Sequence, residues 1–476
     1  MKIEITPLDS WVASRIADPG IYTPGVVNQQ KSRPEIKKVT IADLEQYQLC
    51  MVKKTLETAM GNSPFYREHL SDVNLDHLRS IRDIQTLPFI FPKDLERNGL
   101  QMLCVSQGEI SRVTTLQTSG TTSSPKRIFF TAKDLELTQN FFSHGMQTMV
   151  KPGEKVMVLM PGPNFGSVGE RVKAGLDQTG CETLIHGFVD NPEKALEAMD
   201  HVGVDCIIGL PVQVLCLART SRAKTRDRTT SPGRVKSVLL TGDHVPLSII
   251  RAIKEIWGCS VFIHYGMTET GLGGGVECRA SQGCHLREAD LFFEIVDKTG
   301  KPLPPGKEGE ITITTLTRTG MPLIRYRTGD RASFLQGPCP CGSNLRRLDR
   351  TRGRSVVTLN LQEIRLDNMD EALFSLDEIL DFQVTLIRSG KPGNEQAEFQ
   401  KIPGQKEPWL LNIEFWSSQD QTGLPADKIC CKIHRAIYGI PAIRRLVDQG
   451  DLKIDRISPS SRKIFSQLQK RRIKTG

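Results

Sequence analysis

With 476 residues, of which 38% are hydrophobic, the chain can bury a large core and exceeds the usual size of one domain, so two or more domains are expected. MKIEITPLDSW has no apolar stretch behind a basic start, and no window reaches the roughly 18 consecutive apolar residues of a membrane span, which predicts a cytoplasmic protein with no membrane partner. The formal charge of +9 is concentrated after Asp455, in Arg456, Arg462, Lys463, Lys470, Arg471, Arg472 and Lys474; this reads as a solvated tail or an attraction for anionic ligands, and the lack of interleaved aromatics argues against nucleic acid. Twelve cysteines in such a chain are expected to be reduced thiols rather than a disulfide framework.

The first element is a helical rhythm of Ile41, Leu44, Tyr47, Met51, Leu56 and Met60, which stops at Gly61-Asn62-Ser63-Pro64. Thr118-Ser119-Gly120-Thr121-Thr122-Ser123-Ser124-Pro125-Lys126 then sets hydroxyls and a glycine ahead of a lysine, so that N–H groups, hydroxyls and an ammonium can face phosphate oxygens. Pro125 stands where a Walker A loop requires glycine, and a Ser/Thr-rich turn on its own is more often a plain structural loop. From 150 to 270, apolar runs (Lys155 to Met160, Asp205 to Gly209, Val235 to Thr241, Ser260 to Tyr265) alternate with helical stretches near 166–180, 191–201 and 246–257. That alternation predicts a mainly parallel sheet with ligands beyond the carboxyl ends of its strands, where Pro161–Gly169, Gly209-Leu210-Pro211 and Gly242-Asp243-His244 fall. Arg222–Arg234 reads as a basic surface loop.

Beyond the predicted strand at 260–265 come Tyr265-Gly266-Met267-Thr268-Glu269 and then the period-two runs LFFEIVD, GEITITTL and PLIRYR, which predict a smaller antiparallel sheet leading into Tyr326-Arg327-Thr328-Gly329-Asp330. Cys278, Cys284 and His285 precede this sheet and Cys339-Pro340-Cys341 follows it; three thiolates and an imidazole suit a closed tetrahedral Zn2+ shell of structural role, against the plainer reading of reduced cysteines without metal. At Arg350-Thr351-Arg352-Gly353-Arg354 the character changes. DFQVTLI, WLLNIEFW and a helix near 425–437 follow, the pattern of a separate α+β domain of roughly 120 residues.

Taken in order, the segments at 118–126, 265–269 and 326–330 resemble the phosphate loop, the adenine and Mg2+ motif and the ribose motif of the adenylate-forming superfamily of acyl-CoA synthetases. NSPFYREHL near 62, IRDIQTLPFIFPKDL near 81 and YGMTETGLGGGVEC near 265 further resemble the phenylacetate-CoA ligase and coenzyme F390 synthetase branch. The resemblance implies an α/β fold: a large N-terminal adenylate-forming domain over 1–350, with parallel sheet layers and an antiparallel subdomain, and a small mobile α+β C-terminal domain over 351–476.

It also implies ATP, Mg2+ and coenzyme A as cofactors. Thr118, Ser119, Gly120, Thr121 and Thr122, with Lys126, would hold the phosphates; Tyr265 and Gly266 would lie at the adenine, with Gly242 and Asp243 nearby; Thr268 would touch the α-phosphate and Glu269 would hold Mg2+. Asp330 would bind the ribose and Arg354 the nucleotide at the hinge, where Ser355-Val356-Val357 replace the family's usual acidic residues. Lys463, in Ile457–Lys463, matches the lysine that acts during adenylation, although Arg462 stands in place of the family's glycine. Phe165 and Gly166, with Gly209, would shape the pocket for the acid, and the same alignment favours Cys278, His285, Cys339 and Cys341 as zinc ligands, with Cys284 competing.

The expected activity is ATP-dependent activation of a small aromatic carboxylic acid and transfer of the acyl group to CoA. A carrier-protein-loading ligase, an adenylyltransferase and an inactive nucleotide-binding regulator are the alternatives, and the resemblance implies a homodimer.

Overall fold

The structure, a computed structural model, describes residues 6–17, 39–116, 125–162, 164, 166–225, 235–389, 407–417, 424–460 and 471–475. These group into two compact units, one made of 1–185 and 262–351 and the other of 186–261 and 352–476.

In the first unit, the helix Ile41–Asn62 begins at a capping box between Thr40 and Asp43 and buries Leu44, Tyr47, Met51, Leu56 and Ala59. Ser63 is extended because Pro64 disfavours a helical residue before it, and its hydroxyl then caps the next short helix. The long helix is tied to the antiparallel region: Tyr47 Oη donates to the Ala289 carbonyl at 2.8 Å and Thr55 Oγ1 to that of Leu316 at 3.1 Å. There the strands Leu291–Val296, Gly309–Thr315 and Tyr326–Ala332 form the expected antiparallel sheet. Their alternation does not mean one wet face, since Leu291–Val296 is buried at every position. Glu294 is neutralised inside by Arg325, which donates to it at 3.0 and 2.9 Å, while Arg325 Nη1 satisfies the carbonyls of Gln85 and Leu87 at 2.8 and 2.7 Å.

Ile110–Leu116 and Lys126–Thr131 form an antiparallel hairpin, so Lys126 sits at the start of a strand directly after the Ser/Thr-rich segment. Lys155–Leu159 and Glu182–Ile185 pair in parallel, with the helix Val168–Asp177 between them in the chain.

The second unit holds the parallel pair Cys206–Gly209 and Ser237–Leu240 and the helices Pro211–Thr225 and Leu247–Trp257. Its other part is an α+β body: Ile379–Arg388 runs antiparallel to Trp409–Ser417, Leu452–Pro459 joins the latter in parallel, and Lys474–Thr475 adds to the former. Side chains from both parts join them, among them Arg222, 3.3 Å from Asp377. Arg219 donates to the carbonyls of Phe374, at 2.7 Å, and Ile379; Glu371 accepts from the amides of Leu247 and Ser248 at 2.6 and 2.9 Å. Pro246 cannot cap the helix Leu247–Trp257 with a side chain, so the distant carboxylate of Glu371 serves its N-terminus instead.

One expectation needs correction. Arg471 does not belong to a solvated tail: its guanidinium is ion-paired with Asp370 and Asp381 and lies against the rings of Phe374 and Phe382. Among the described residues no helix is long and apolar enough to cross a membrane.

Candidate functional site

Lys126, Glu269 and Tyr326 come from three separate sequence segments and meet at one point in the first unit. Lys126 Nζ lies 2.9 Å from Glu269 Oε1, Tyr326 Oη donates to the same oxygen at 3.0 Å, and lysine and phenol are 3.5 Å apart. Beside them, Tyr265 Oη donates to Asp330 Oδ2 at 3.3 Å, which joins the motif at 265–269 to the motif at 326–330 a second time.

Local backbone chemistry explains why these side chains converge. Strand Ser260–Tyr265 ends at Gly266, where a Cβ would collide with the Leu272 carbonyl and come within 2.5 Å of His264 Cε1, so only glycine lets the chain turn there. A single 3-10 turn, Thr268–Thr270, follows; Thr270 Oγ1 accepts from the Met267 amide at 3.0 Å, and Gly271 closes the turn at φ 68°. Thr138 Oγ1 donates to the Gly271 carbonyl at 2.8 Å and fixes the turn to the helix Ala132–Met146. Glu269 therefore points inward at 2% exposure, while Thr268 is half-buried.

Burial alone would raise the Glu269 carboxyl, yet the opposing effects of the Lys126 ammonium and the hydrogen bonds from Lys126 and Tyr326 are larger together and hold it below the usual glutamate range. The site thus presents an ionised carboxylate in a dry setting, next to a lysine and a phenol. That is a donor set suited to a hard cation and to phosphate oxygens.

A second cluster lies in the same unit. The ligand atoms of Cys278, His285, Cys339 and Cys341 all fall within 4.8 Å of one another. Cys278 Sγ is 3.6 Å from Cys339 Sγ, and Cys341 Sγ is 3.4 Å from His285 Nε2. Zinc–sulfur bonds of about 2.3 Å in a tetrahedron place sulfurs about 3.8 Å apart, so the spacing fits. Burial pushes the Cys278 thiol up to about 12 and the His285 imidazole down to about 4. An imidazole kept neutral by burial is the form that ligates. Cys284 is excluded from this group because neighbouring strand residues face opposite ways, and its Sγ instead approaches the Ile263 carbonyl at 3.4 Å.

The remaining expected residues are distributed as follows. Thr118, Ser119, Gly120, Thr121, Thr122, Phe165 and Lys463 lie outside the described residues. Gly166 has φ 71°, and the Arg112 guanidinium occupies the space a side chain would take there, a neighbour the sequence reading missed. In the second unit, the Gly209 carbonyl accepts from the Thr241 amide at 3.1 Å, beside Gly242 at φ 86°; Asp243 Oδ1 accepts from the His244 amide at 2.8 Å, and Arg354 is exposed. Tyr326 was also missed as a partner of Glu269, although it heads the quoted motif at 326–330.

Residues 108–317 match the family model of AMP-binding enzymes. Among curated proteins, the chain is similar to the phenylacetate-coenzyme A ligase of Aromatoleum evansii, 28% identical over 339 residues that make up 70% of this chain and 75% of the relative. It is similar also to the Pseudomonas putida phenylacetate-coenzyme A ligase, 26% identical over 367 residues, 75% of this chain and 81% of that one. The fold matches a crystal structure of 2-hydroxyisobutyryl-CoA ligase in the postadenylation state, with a TM-score of 0.74 at 19% identity, covering 95% of this chain and 96% of that one.

Proposed function

We propose that the chain, whose residues 108–317 match the AMP-binding enzyme family model, is an AMP-forming acid–thiol ligase acting on a small aromatic carboxylic acid and coenzyme A. The acid's carboxylate oxygen attacks the α-phosphorus of ATP, and the bond to the bridging oxygen breaks to release pyrophosphate. The CoA thiol then loses its proton and attacks the acyl carbonyl, and AMP leaves. The observation that carries this reading is the meeting of Lys126, Glu269 and Tyr326, which joins a Ser/Thr-rich loop, an adenine-type motif and a ribose-type motif around one ionised carboxylate.

In this reading Lys126 and residues 118–122 bind phosphate oxygens, Tyr265 and Gly266 face the adenine, Asp330 takes the ribose hydroxyls, and Thr268 contacts the α-phosphate. Mg2+, when bound at Glu269, supplies charge neutralisation across the phosphates. Lys463 neutralises charge at the bridging oxygen, and Gly242, Asp243 and Arg354 complete the nucleotide contacts. Phe165, Gly166 and Gly209 shape the acid pocket. Cys278, His285, Cys339 and Cys341 hold a structural Zn2+. The C-terminal region from 351 moves between half-reactions, and the enzyme works in the cytoplasm as a homodimer.

The test is acid-dependent ATP/pyrophosphate exchange with Mg2+ and a panel of aromatic, heteroaromatic and aliphatic acids, followed by CoA and detection of the thioester. Exchange driven by one aromatic acid, lost in Lys463→Ala, is the expected outcome. Exchange without thioester formation would instead indicate an adenylyltransferase or a carrier-protein ligase.

A further inference from the structure

The N-terminal helix Pro7–Ile16 has ten residues, too few for a stable helix in water by itself, so its order comes from docking on the first unit. It buries Leu8, Trp11 and Val12, and Trp11 lies edge-on to Phe141 with ring centres 6.1 Å apart. A carboxylate contact holds it near each end. Toward its C-terminus, Arg15 donates to Asp290 Oδ1 at 3.2 Å. In its first turn, Asp9 Oδ1 accepts from Ser343 Oγ at 2.8 Å.

Asp9 also bonds with the capping residue Thr6, but capping does not explain its burial. Asp43 does the same work for the helix Ile41–Asn62 while exposed to water. What Asp9 reaches inside is the surroundings of the cysteine and histidine cluster. Ser343 stands two residues after Cys341, and its hydroxyl accepts from the Leu345 amide at 3.1 Å while donating to Asp9. Burial pushes the Cys341 thiol up, and the Ser343 amide is the strongest influence against it. Burial pushes the His285 imidazole down, and there Asp9 is the strongest opposing influence, joined by the backbone of Leu345. His285 turns Nε2 toward Cys341. A ring that ligates through Nε2 carries its proton on Nδ1, and an acceptor for that proton fixes the ring and makes it a better ligand.

We propose that Asp9 is a positioning residue for the metal centre of Cys278, His285, Cys339 and Cys341, so that docking of the N-terminal helix and binding of Zn2+ strengthen each other. This rests on the zinc reading above and is independent of the ligase reading. Because such coupling is reciprocal, whatever factor the docked helix adds to zinc affinity, zinc adds to helix docking.

Zinc affinity of the full chain is measured by competition with a chromophoric chelator, in the unaltered protein and in Asp9→Ala, Ser343→Ala, their combination and Arg15→Met. Asp9→Ala and Ser343→Ala are each expected to weaken zinc about tenfold, and the combination no more than Asp9→Ala alone, since both cut one link. Arg15→Met alters no group at the cluster and strands no charge, because Asp290 keeps Arg287 at 2.7 Å; it should still weaken zinc about threefold by loosening the helix. Removing zinc should raise amide exchange at 8–16 about tenfold, and by less in the helix Ile41–Asn62 of the same unit. Unchanged zinc affinity in Asp9→Ala and Ser343→Ala overturns the positioning role and leaves the zinc reading standing. An equal rise of exchange in both helices, or unchanged zinc affinity in Arg15→Met, overturns the linkage. Should Asp9→Ala not fold, Ser343→Ala and Arg15→Met decide; an unaltered chain that binds no zinc ends the zinc reading and this one together.

Discussion

Glu269 combines two properties that oppose each other in a folded protein: it is 2% exposed and its carboxyl lies below the ordinary glutamate range. Lys126 and Tyr326 reconcile them. A carboxyl whose folded value is depressed contributes stability that is fully present above its unfolded value, about 4.3, and is lost as the pH falls through that region. Urea unfolding between pH 7 and pH 3 should therefore show an acid-side loss of stability that is reduced in Glu269→Gln. The same variant is expected to cut pyrophosphate exchange at least 100-fold, about 2.7 kcal/mol of barrier, since a neutral amide neither holds a divalent cation nor matches the Lys126 charge. Glu269 was legible in the sequence because it ends the short motif that begins at Tyr265. Tyr326 was not, as its contact with Glu269 spans 57 positions and depends on how two strands are placed.

Among the elements, the strand Cys284–Leu286 shows what a sequence pattern leaves open. Cys284 and His285 are adjacent, and spacing alone leaves open which of Cys278 and Cys284 joins the cluster. The pleat separates them: His285 faces Cys278, Cys339 and Cys341, while Cys284 turns to the Ile263 carbonyl. Purified protein is expected to carry about one zinc per chain by elemental analysis. Cys339→Ser should lose that metal and several kcal/mol of stability, because metal-binding energy at such a site is folding energy. Cys284→Ser should keep it. Retention of zinc in Cys339→Ser together with its loss in Cys284→Ser would reverse the assignment. The antiparallel strands carry a related lesson. Alternation in Leu291–Val296 identified the strand correctly, but not its two buried faces, because Glu294 is a polar residue paid for internally by Arg325.

For the whole molecule, the local change of character near Arg350–Arg354 is visible in the sequence, whereas the grouping of 186–261 with 352–476 depends on contacts across more than a hundred positions. Two of these, from Arg219 and Glu371, join backbone groups to single side chains. If the chain from 351 onward moves between half-reactions, as proposed, both must be released and remade in each cycle. Glu371 is the more informative to alter, because Leu247 and Ser248 at the helix N-terminus can turn to water, whereas the Arg219 guanidinium, pushed down to about 10 chiefly by burial, would be left in place without its partners. Glu371→Ala removes two charge-assisted hydrogen bonds, worth roughly 1–2 kcal/mol to the joined arrangement. The expected outcome is a several-fold slower pyrophosphate exchange, with transfer from supplied acyl-adenylate to CoA unchanged or faster, measured on the same preparation. Equal slowing of both half-reactions would mean that the contact stabilises the unit throughout the cycle and that the C-terminal region does not leave it.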